Sequence, residues 1–239
     1  PCFQMYIFNV NDFKWTLVKI DMSNETVSSN TLDKRSTVIA VIIIGAMFFI
    51  FGLVSWVNAI LIPYFKIACE LTHFESYFVA FAFYIAYLVM SVPSAFLLKR
   101  VGYKKGMMVG FFFMAAGALI FVPAALTRTY GIFLTGLFTI GTGLAILQSA
   151  ANPYITIVGP IESAAKRMSI MGVCNKFAGI VSPLIFAAVV LKVSDSDMFT
   201  LLESGTLDEV AKNNMLDELI RRVILPYSVL SALLFAFGL

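Results

Sequence analysis

The stretch that decides the fold is "GTGLAILQSAANPYITIVGP", residues 141–160. It lies within a long apolar run, yet Gln148, Ser149, Asn152 and Pro153 stand near the middle of that run. About 20 apolar residues span a bilayer as a helix, and an unpaired carboxamide in hydrocarbon costs several kcal/mol. The stretch therefore predicts a membrane helix whose polar side chains face a protein interior or a water-filled cavity rather than lipid.

The rest of the chain has the same character, because 60% of its 239 residues are hydrophobic and only 13% are charged. Only helices or closed barrels cross lipid, and the apolar runs lack the alternation of barrel strands. We therefore predict an all-α, polytopic membrane protein. Hydropathy places its six spans at 37–65, 74–98, 106–126, 130–158, 168–191 and 223–239.

The segments outside the first five spans have distinct compositions. Residues 1–36 are predicted to be a polar N-terminal leader, and residues 1–21 lack the features of a signal peptide. We interpret Met22 as the natural start and residues 1–21 as non-native sequence. Residues 192–222 predict an acidic outer loop, and 223–239 a truncated sixth span. A helical stripe in that loop predicts a short amphipathic helix, formed by Leu207, Val210, Ala211, Leu216, Leu219 and Ile220.

Basic residues in the short loops predict the orientation in the membrane. With the N-terminus inside, the first two outer loops carry only Lys66 and Arg128. The inner segments carry Lys34, Arg35, Lys99, Arg100, Lys104, Lys105, Lys166 and Arg167. We therefore predict a cytoplasmic N-terminus.

Several function classes are disfavoured by the remaining composition. The net charge of +3 is spread over the loops, so no nucleic-acid partner is expected. Cys2, Cys69 and Cys174 form no CxxC pair, and His73 is the single histidine. We expect no metal site, no cofactor and no enzymatic activity.

A short motif recurs in the first and fourth spans. "NAILIPY", residues 58–64, and "QSAANPY", residues 148–154, each place a carboxamide, four residues and then Pro-Tyr. Asn58 thus corresponds to Gln148, and Pro63 to Pro153. Equivalent positions three helices apart are typical of a 3+3 inverted repeat. Both prolines predict helix kinks.

Helical spacing predicts a polar site near the bilayer centre. Gly141, Ala145, Gln148, Asn152 and Ile155 share one helix face. Carboxamides both donate and accept hydrogen bonds, which suits a neutral ligand rich in hydroxyls, such as a sugar. Adhesion between helices is the structural alternative for each carboxamide. The predicted substrate-binding residues are Gln148, Asn152, Asn58 and Asn175, with Asn58 further toward the outside and Lys176 as a fixed charge.

Three stretches resemble a known family. "KRVGYKKG", residues 99–106, is similar to the signature loop of the major facilitator superfamily: Arg100, Gly102 and Lys104 match, whereas Lys99 stands in the aspartate position. "LQSAANPYITIVGPIES", residues 147–163, resembles the fucose–galactose–hexose branch. "GPIESAAKRMSIMGVCNKFAG", residues 159–179, is similar to its bacterial glucose/galactose transporters. The resemblance implies the N-terminal six-helix bundle of a twelve-helix carrier in a bacterial inner membrane, lacking its C-terminal six-helix bundle.

The resemblance also implies a coupling ion. Proton-coupled fucose permeases carry carboxylates on helices 1 and 4, and the matching positions here are Ala59 and Gln148, which do not titrate. We therefore expect a secondary active hexose importer of the glucose/galactose class, coupled to Na+, with hexose and the lipid bilayer as partners. The alternatives are a proton-coupled fucose-type symporter, a facilitative sugar carrier and an inactive half-transporter fragment. A channel is disfavoured, because the "ANPY" stretch lies in a full-length span.

Overall fold

The computed structural model describes residues 3–9, 14–20, 34–158, 160–190 and 208–239. The chain divides into two units, residues 1–31 and 32–239. In the first unit, strands β1 (Phe3–Asn9) and β2 (Lys14–Ile20) form an antiparallel pair, with Phe3 opposite Ile20. This pair lies in the segment predicted as a polar N-terminal leader, for which the sequence predicts no strand. The strands are rich in aromatic and β-branched residues, which favour extended structure even without strict alternation.

The described part of the second unit is helical, as predicted. Five of its helical segments are long and apolar enough to cross a membrane. The first span begins three residues earlier than predicted and the fifth begins four residues earlier. The helices are α1 (Lys34–Ala68), α2 (His73–Thr127), α3 (Tyr130–Ile157), α4 (Ala164–Val190), α5 (Glu209–Arg221) and α6 (Ile224–Gly238), with a 3-10 turn at Ile161–Ser163.

Helix α2 supplies two crossings, because the chain reverses at Gly102. A straight helix of 55 residues would be about 80 Å long, whereas the hydrocarbon layer is about 30 Å thick. Gly102 has non-helical angles, φ 78° and ψ 170°. A Cβ atom on Gly106 would collide with the side chain of Leu98, which no continuous helix brings so close. Residues 73–101 are named α2a and residues 103–127 α2b, so the described part of this unit offers six apolar helices to the membrane: α1, α2a, α2b, α3, α4 and α6.

Glycines let α2b and α3 approach closely. A Cβ on Gly110 would lie 2.9 Å from the carbonyl oxygen of Gly143, and one on Gly117 would lie 2.9 Å from that of Gly136. These pairs show that α2b and α3 run antiparallel with their backbones in contact. Small residues take this role in membranes, because lipid provides no hydrophobic drive for helix association.

The other spans pair across the sequence. Helix α1 packs alongside α4, where a Cβ on Gly52 would lie 2.6 Å from the carbonyl oxygen of Asn175. Helix α2b packs against α6, since Ser231 donates to the carbonyl oxygen of Ala115 at 2.9 Å. Helix α2a packs on α3 through Gly141, whose added Cβ would lie 2.6 Å from the carbonyl oxygen of Phe83. Contacts thus join spans one and five, two and four, and three and six, as expected of two inverted three-helix units.

Helix α5 lies against the turns that precede α2 and α3. Arg128 binds Asp217 at 3.2 Å, and Lys212 forms an ion pair with Glu70. Glu70 and Arg128 both have positive φ, at 51° and 48°. The amphipathic stripe that the sequence predicts is present, with Leu216, Leu219 and Ile220 buried, Val210 exposed, Ala211 half-buried and Leu207 outside the described residues.

Candidate functional site

Gln148 is half-buried in α3 and contacts α2a. Its Nε2 atom donates to the hydroxyl of Tyr87 at 3.3 Å, and Ser55 of α1 lies beside the same hydroxyl. Gln148 also lines a small cavity between α1 and α3, together with Met47, Phe48, Phe51, Leu147 and Ala151. The Gln148 side chain of α3 therefore lies where residues of α1 and α2a also converge.

Asn175 reaches the same region from α4. Its Nδ2 atom donates to the carbonyl oxygen of Phe48 at 3.4 Å, and Phe48 also borders the cavity beside Gln148. Counting along the helices, Gln148 lies about 14 Å from the end of α3 and Asn175 about 17 Å from the start of α4. The structure therefore places these two predicted residues at one level, each of them near Phe48.

Lys176 and Asn152 are exposed on the surface of the described unit. The Lys176 ammonium lies 5.6 Å from the ring centroid of Trp56, in cation–π geometry. A lysine at a helix centre costs about 2.5–3.5 kcal/mol in a membrane, and a cation–π contact returns about 0.5–2 kcal/mol. The indole therefore offsets part of the cost of this charge. Asn152 lies one turn beyond Gln148 on α3, on the same face.

Asn58 stands apart from the other carboxamides. It is 4% exposed, its Oδ1 accepts from the Tyr227 hydroxyl at 2.9 Å, and its Nδ2 has no partner among the described residues. Ten residues of α1 place it about 15 Å from Phe48. The structure does not bring Asn58 to Gln148 and Asn175. Its contact joins α1 to α6, which matches the helix-adhesion alternative.

The predicted signature loop forms the reversal in α2. Arg100 and Lys104 are exposed on either side of Gly102. Helices α1 and α3 continue through Pro63 and Pro153, as α2 does through two prolines of its own. Neither proline ends its helix, and the predicted kinks stay predictions.

Arg167 has a role that sequence reasoning missed. The loop charge predicts a solvated residue, yet Arg167 is only 5% exposed. Its guanidinium donates to the carbonyl oxygens of Ile155, Thr156 and Pro160 at 3.0, 3.0 and 2.9 Å. It therefore binds carbonyl groups at the end of α3, where cations are favoured. No sequence signal separates it from the exposed Lys166 beside it.

The described spans offer hydroxyls, carboxamides and one ammonium at this level, but no acid. In α1, α2, α3, α4 and α6 the carboxylates are limited to Glu75, in the first turn of α2. The side chain of Ala59 lies outside the described ones. No group of three metal-ligating side chains occurs among the described residues. The arrangement is suited to binding hydroxyl groups rather than to moving a proton through the described part.

Comparisons with known proteins agree with this architecture. The profile of the Major Facilitator Superfamily matches residues 26–194. The chain is 36% identical to a glucose/galactose transporter of Brucella abortus over 172 residues, 72% of this chain and 42% of the relative. It is 31% identical to the L-fucose-proton symporter of Escherichia coli over 222 residues, 91% of this chain and 50% of the relative.

A solved structure of a Major Facilitator Superfamily transporter has a similar fold. The transporter FucP, crystallised in the outward conformation, superposes with a TM-score of 0.72 at 30% identity, covering 85% of this chain and 49% of that chain. The chain spans about half the length of the curated relatives it matches.

Proposed function

Because this chain belongs to the major facilitator superfamily, a family of transporters and not of enzymes, we propose that it is the N-terminal half of a secondary sugar transporter. The transported substrate is a hexose of the glucose/galactose class, imported by alternating access against a second six-helix bundle. One observation carries the proposal: Gln148 and Asn175 lie at one level, Gln148 in a cavity that Phe48 borders and Asn175 bonded to the Phe48 carbonyl, in two helices without an acid. The names of the relatives support the substrate class.

Gln148 and Asn175 bind the sugar hydroxyls in this proposal. Tyr87 orients the Gln148 carboxamide, which leaves its carbonyl oxygen as an acceptor. Asn152, exposed one turn away, extends the same face. Each neutral hydrogen bond contributes about 0.5–1.5 kcal/mol net, so two carboxamides account for about 1–3 kcal/mol of sugar affinity. Asn58 contributes by holding α1 against α6 rather than by touching the sugar.

We further propose that import is driven by Na+. The lack of a carboxylate at the level of Gln148 in the described spans supports this choice, because a proton relay needs a group that titrates in the working range. Proton coupling is the competing reading, since two relatives are named L-fucose-proton symporters. It would place the titrating group outside the described residues. The proposed location is a bacterial inner membrane, with the N-terminus of this chain inside.

The test uses the full-length carrier that contains this chain, reconstituted in liposomes. Gln148→Ala is expected to raise the KM for galactose about tenfold, from the loss of roughly 1.4 kcal/mol of binding. Ser149→Ala is the matched control, because Ser149 is the half-buried neighbour on α3. An unchanged KM for galactose in Gln148→Ala would refute the proposed sugar-binding site.

The coupling claim has a separate readout. Galactose accumulation is measured under an imposed Na+ gradient at equal pH, and under a proton gradient without Na+. Accumulation with Na+ alone supports the proposal. Accumulation with protons alone shows a fucose-type symporter, and equilibration without accumulation shows a facilitative carrier.

A further inference from the structure

The side chain of Lys176 is exposed, and the proposed hexose site assigns it no role. It lies near the middle of the 27-residue helix α4, about 18 Å from its start. Its ammonium faces the Trp56 ring on one side, and its side chain is exposed on the other. No carboxylate occurs at this level in the described spans. A charge in this place requires water or an anion on its open side.

The exposed surface of α4 is divided into two stripes of different character. One stripe, at steps of three and four residues, is large and apolar: Ile170, Val173, Phe177, Ile180 and Leu184. The neighbouring stripe is small or polar: Ser169, Gly172, Lys176, Gly179 and Pro183. A Cβ on Gly172 would meet nothing within 4 Å. The apolar stripe is the one suited to lipid, so we infer that Lys176 faces away from lipid.

Gly179 fixes the position of the indole beside Lys176. A Cβ on Gly179 would lie 2.7 Å from Nε1 and 2.8 Å from Cε2 of Trp56, so only glycine allows the ring to lie there. The Trp56 side chain stays 40% exposed. The pair thus presents an aromatic surface and an ammonium side by side, next to Asn175.

We propose that Lys176 and Trp56 form a carboxylate-binding subsite, and that the carrier transports hexuronates as well as neutral hexoses. The sugar ring packs on the exposed indole surface, and its carboxylate pairs with the Lys176 ammonium. This inference rests on the proposed sugar-carrier function. The same ammonium could instead pair with a carboxylate of the second six-helix bundle, and the test separates the two sources.

The experiment measures uptake of labelled galactose by the full-length carrier in liposomes, with galacturonate or unlabelled galactose as competitor. Galacturonate is expected to compete at a concentration at least tenfold lower than galactose does. Lys176→Gln should abolish that preference and change the galactose KM less than twofold. Lys176→Arg should retain the preference, and Lys166→Gln, an exposed lysine in the first turn of α4, is the matched control.

Three outcomes overturn the inference. If galacturonate does not compete with labelled galactose in the parent carrier, the carboxylate-binding subsite is refuted. A second outcome is a Lys176→Gln variant that loses galactose uptake and galacturonate competition equally while it elutes as a single peak in size-exclusion chromatography. That result shows that the ammonium pairs with a carboxylate of the second six-helix bundle. Absence of uptake of labelled galactose by the parent carrier overturns the proposed function as well. Galactose uptake without galacturonate competition leaves the proposed function standing and refutes only this step.

Discussion

Replacing Gly102 with alanine tests the chain reversal that turns α2 into two spans. The angles φ 78° and ψ 170° lie in a region that is essentially restricted to glycine, and a residue with a Cβ loses about 1–3 kcal/mol there. No atom lies within 4 Å of the added Cβ, so the cost is conformational and not a clash. Restricting the unfolded chain returns about 0.4–1 kcal/mol. We therefore expect Gly102→Ala to lower the free energy of unfolding by about 1–2 kcal/mol.

Gly172→Ala is the matched control for this substitution. Gly172 also has open space around its Cβ position, but it lies inside α4 with ordinary helical φ. Alanine is expected to stabilise that helix by about 0.5–1 kcal/mol. Unfolding in mixed detergent micelles, followed by circular dichroism at 222 nm, measures both variants. A Gly102→Ala variant that is as stable as Gly172→Ala would refute the glycine-only conformation at the reversal.

Three further predictions concern other contacts. Tyr227→Phe removes the hydroxyl that donates a hydrogen bond to Asn58, so the free energy of unfolding should fall by about 1–3 kcal/mol. An unchanged unfolding midpoint would contradict the role of Asn58 in holding α1 against α6. Gly143→Val places a side chain against the backbone of α2b and should lower the free energy of unfolding by about 1–3 kcal/mol or more. A melting temperature equal to that of the parent protein would contradict the close approach of α2b and α3. Burial raises the pKa of Cys69 to about 11, against a smaller lowering by Arg128, so its thiolate is scarce below that pH. In a Cys2→Ser, Cys174→Ser background, iodoacetamide labelling of Cys69 should rise about tenfold per pH unit from 7.5 to 9.5; a plateau near pH 8.5 would show an ordinary thiol.

The spans could be predicted from the sequence because the bilayer imposes their length. Each crossing needs about 20 apolar residues, and most charges fall in the connections, with Lys176 as an exception within α4, so hydropathy alone predicts six spans. The reversal at Gly102 falls inside the predicted gap between residues 98 and 106. The β1–β2 pair escaped prediction, because short strands depend on pairing with a partner more than on their own pattern.

The candidate site was predictable in depth but not in contacts. Counting residues places Gln148 and Asn175 at one level, because the helix rise is constant. The rotation of each helix is set by long-range packing, which local spacing does not specify. Tyr227, 169 residues away in the chain, is therefore a partner of Asn58 that the spacing does not indicate. Arg167 likewise binds carbonyl groups that only the folded connection between α3 and α4 brings near.

The pairing of α1 with α4 has a consequence for biosynthesis. The hydrogen bond from Asn175 to Phe48 joins residues 127 positions apart in the chain. Ribosomes add about 5–20 residues per second, so Phe48 is synthesised about 6–25 seconds before its partner. During that interval the glycine-lined side of α1 faces lipid or the insertion machinery. The order of synthesis therefore leaves α1 without its partner α4 until the fifth span has been made.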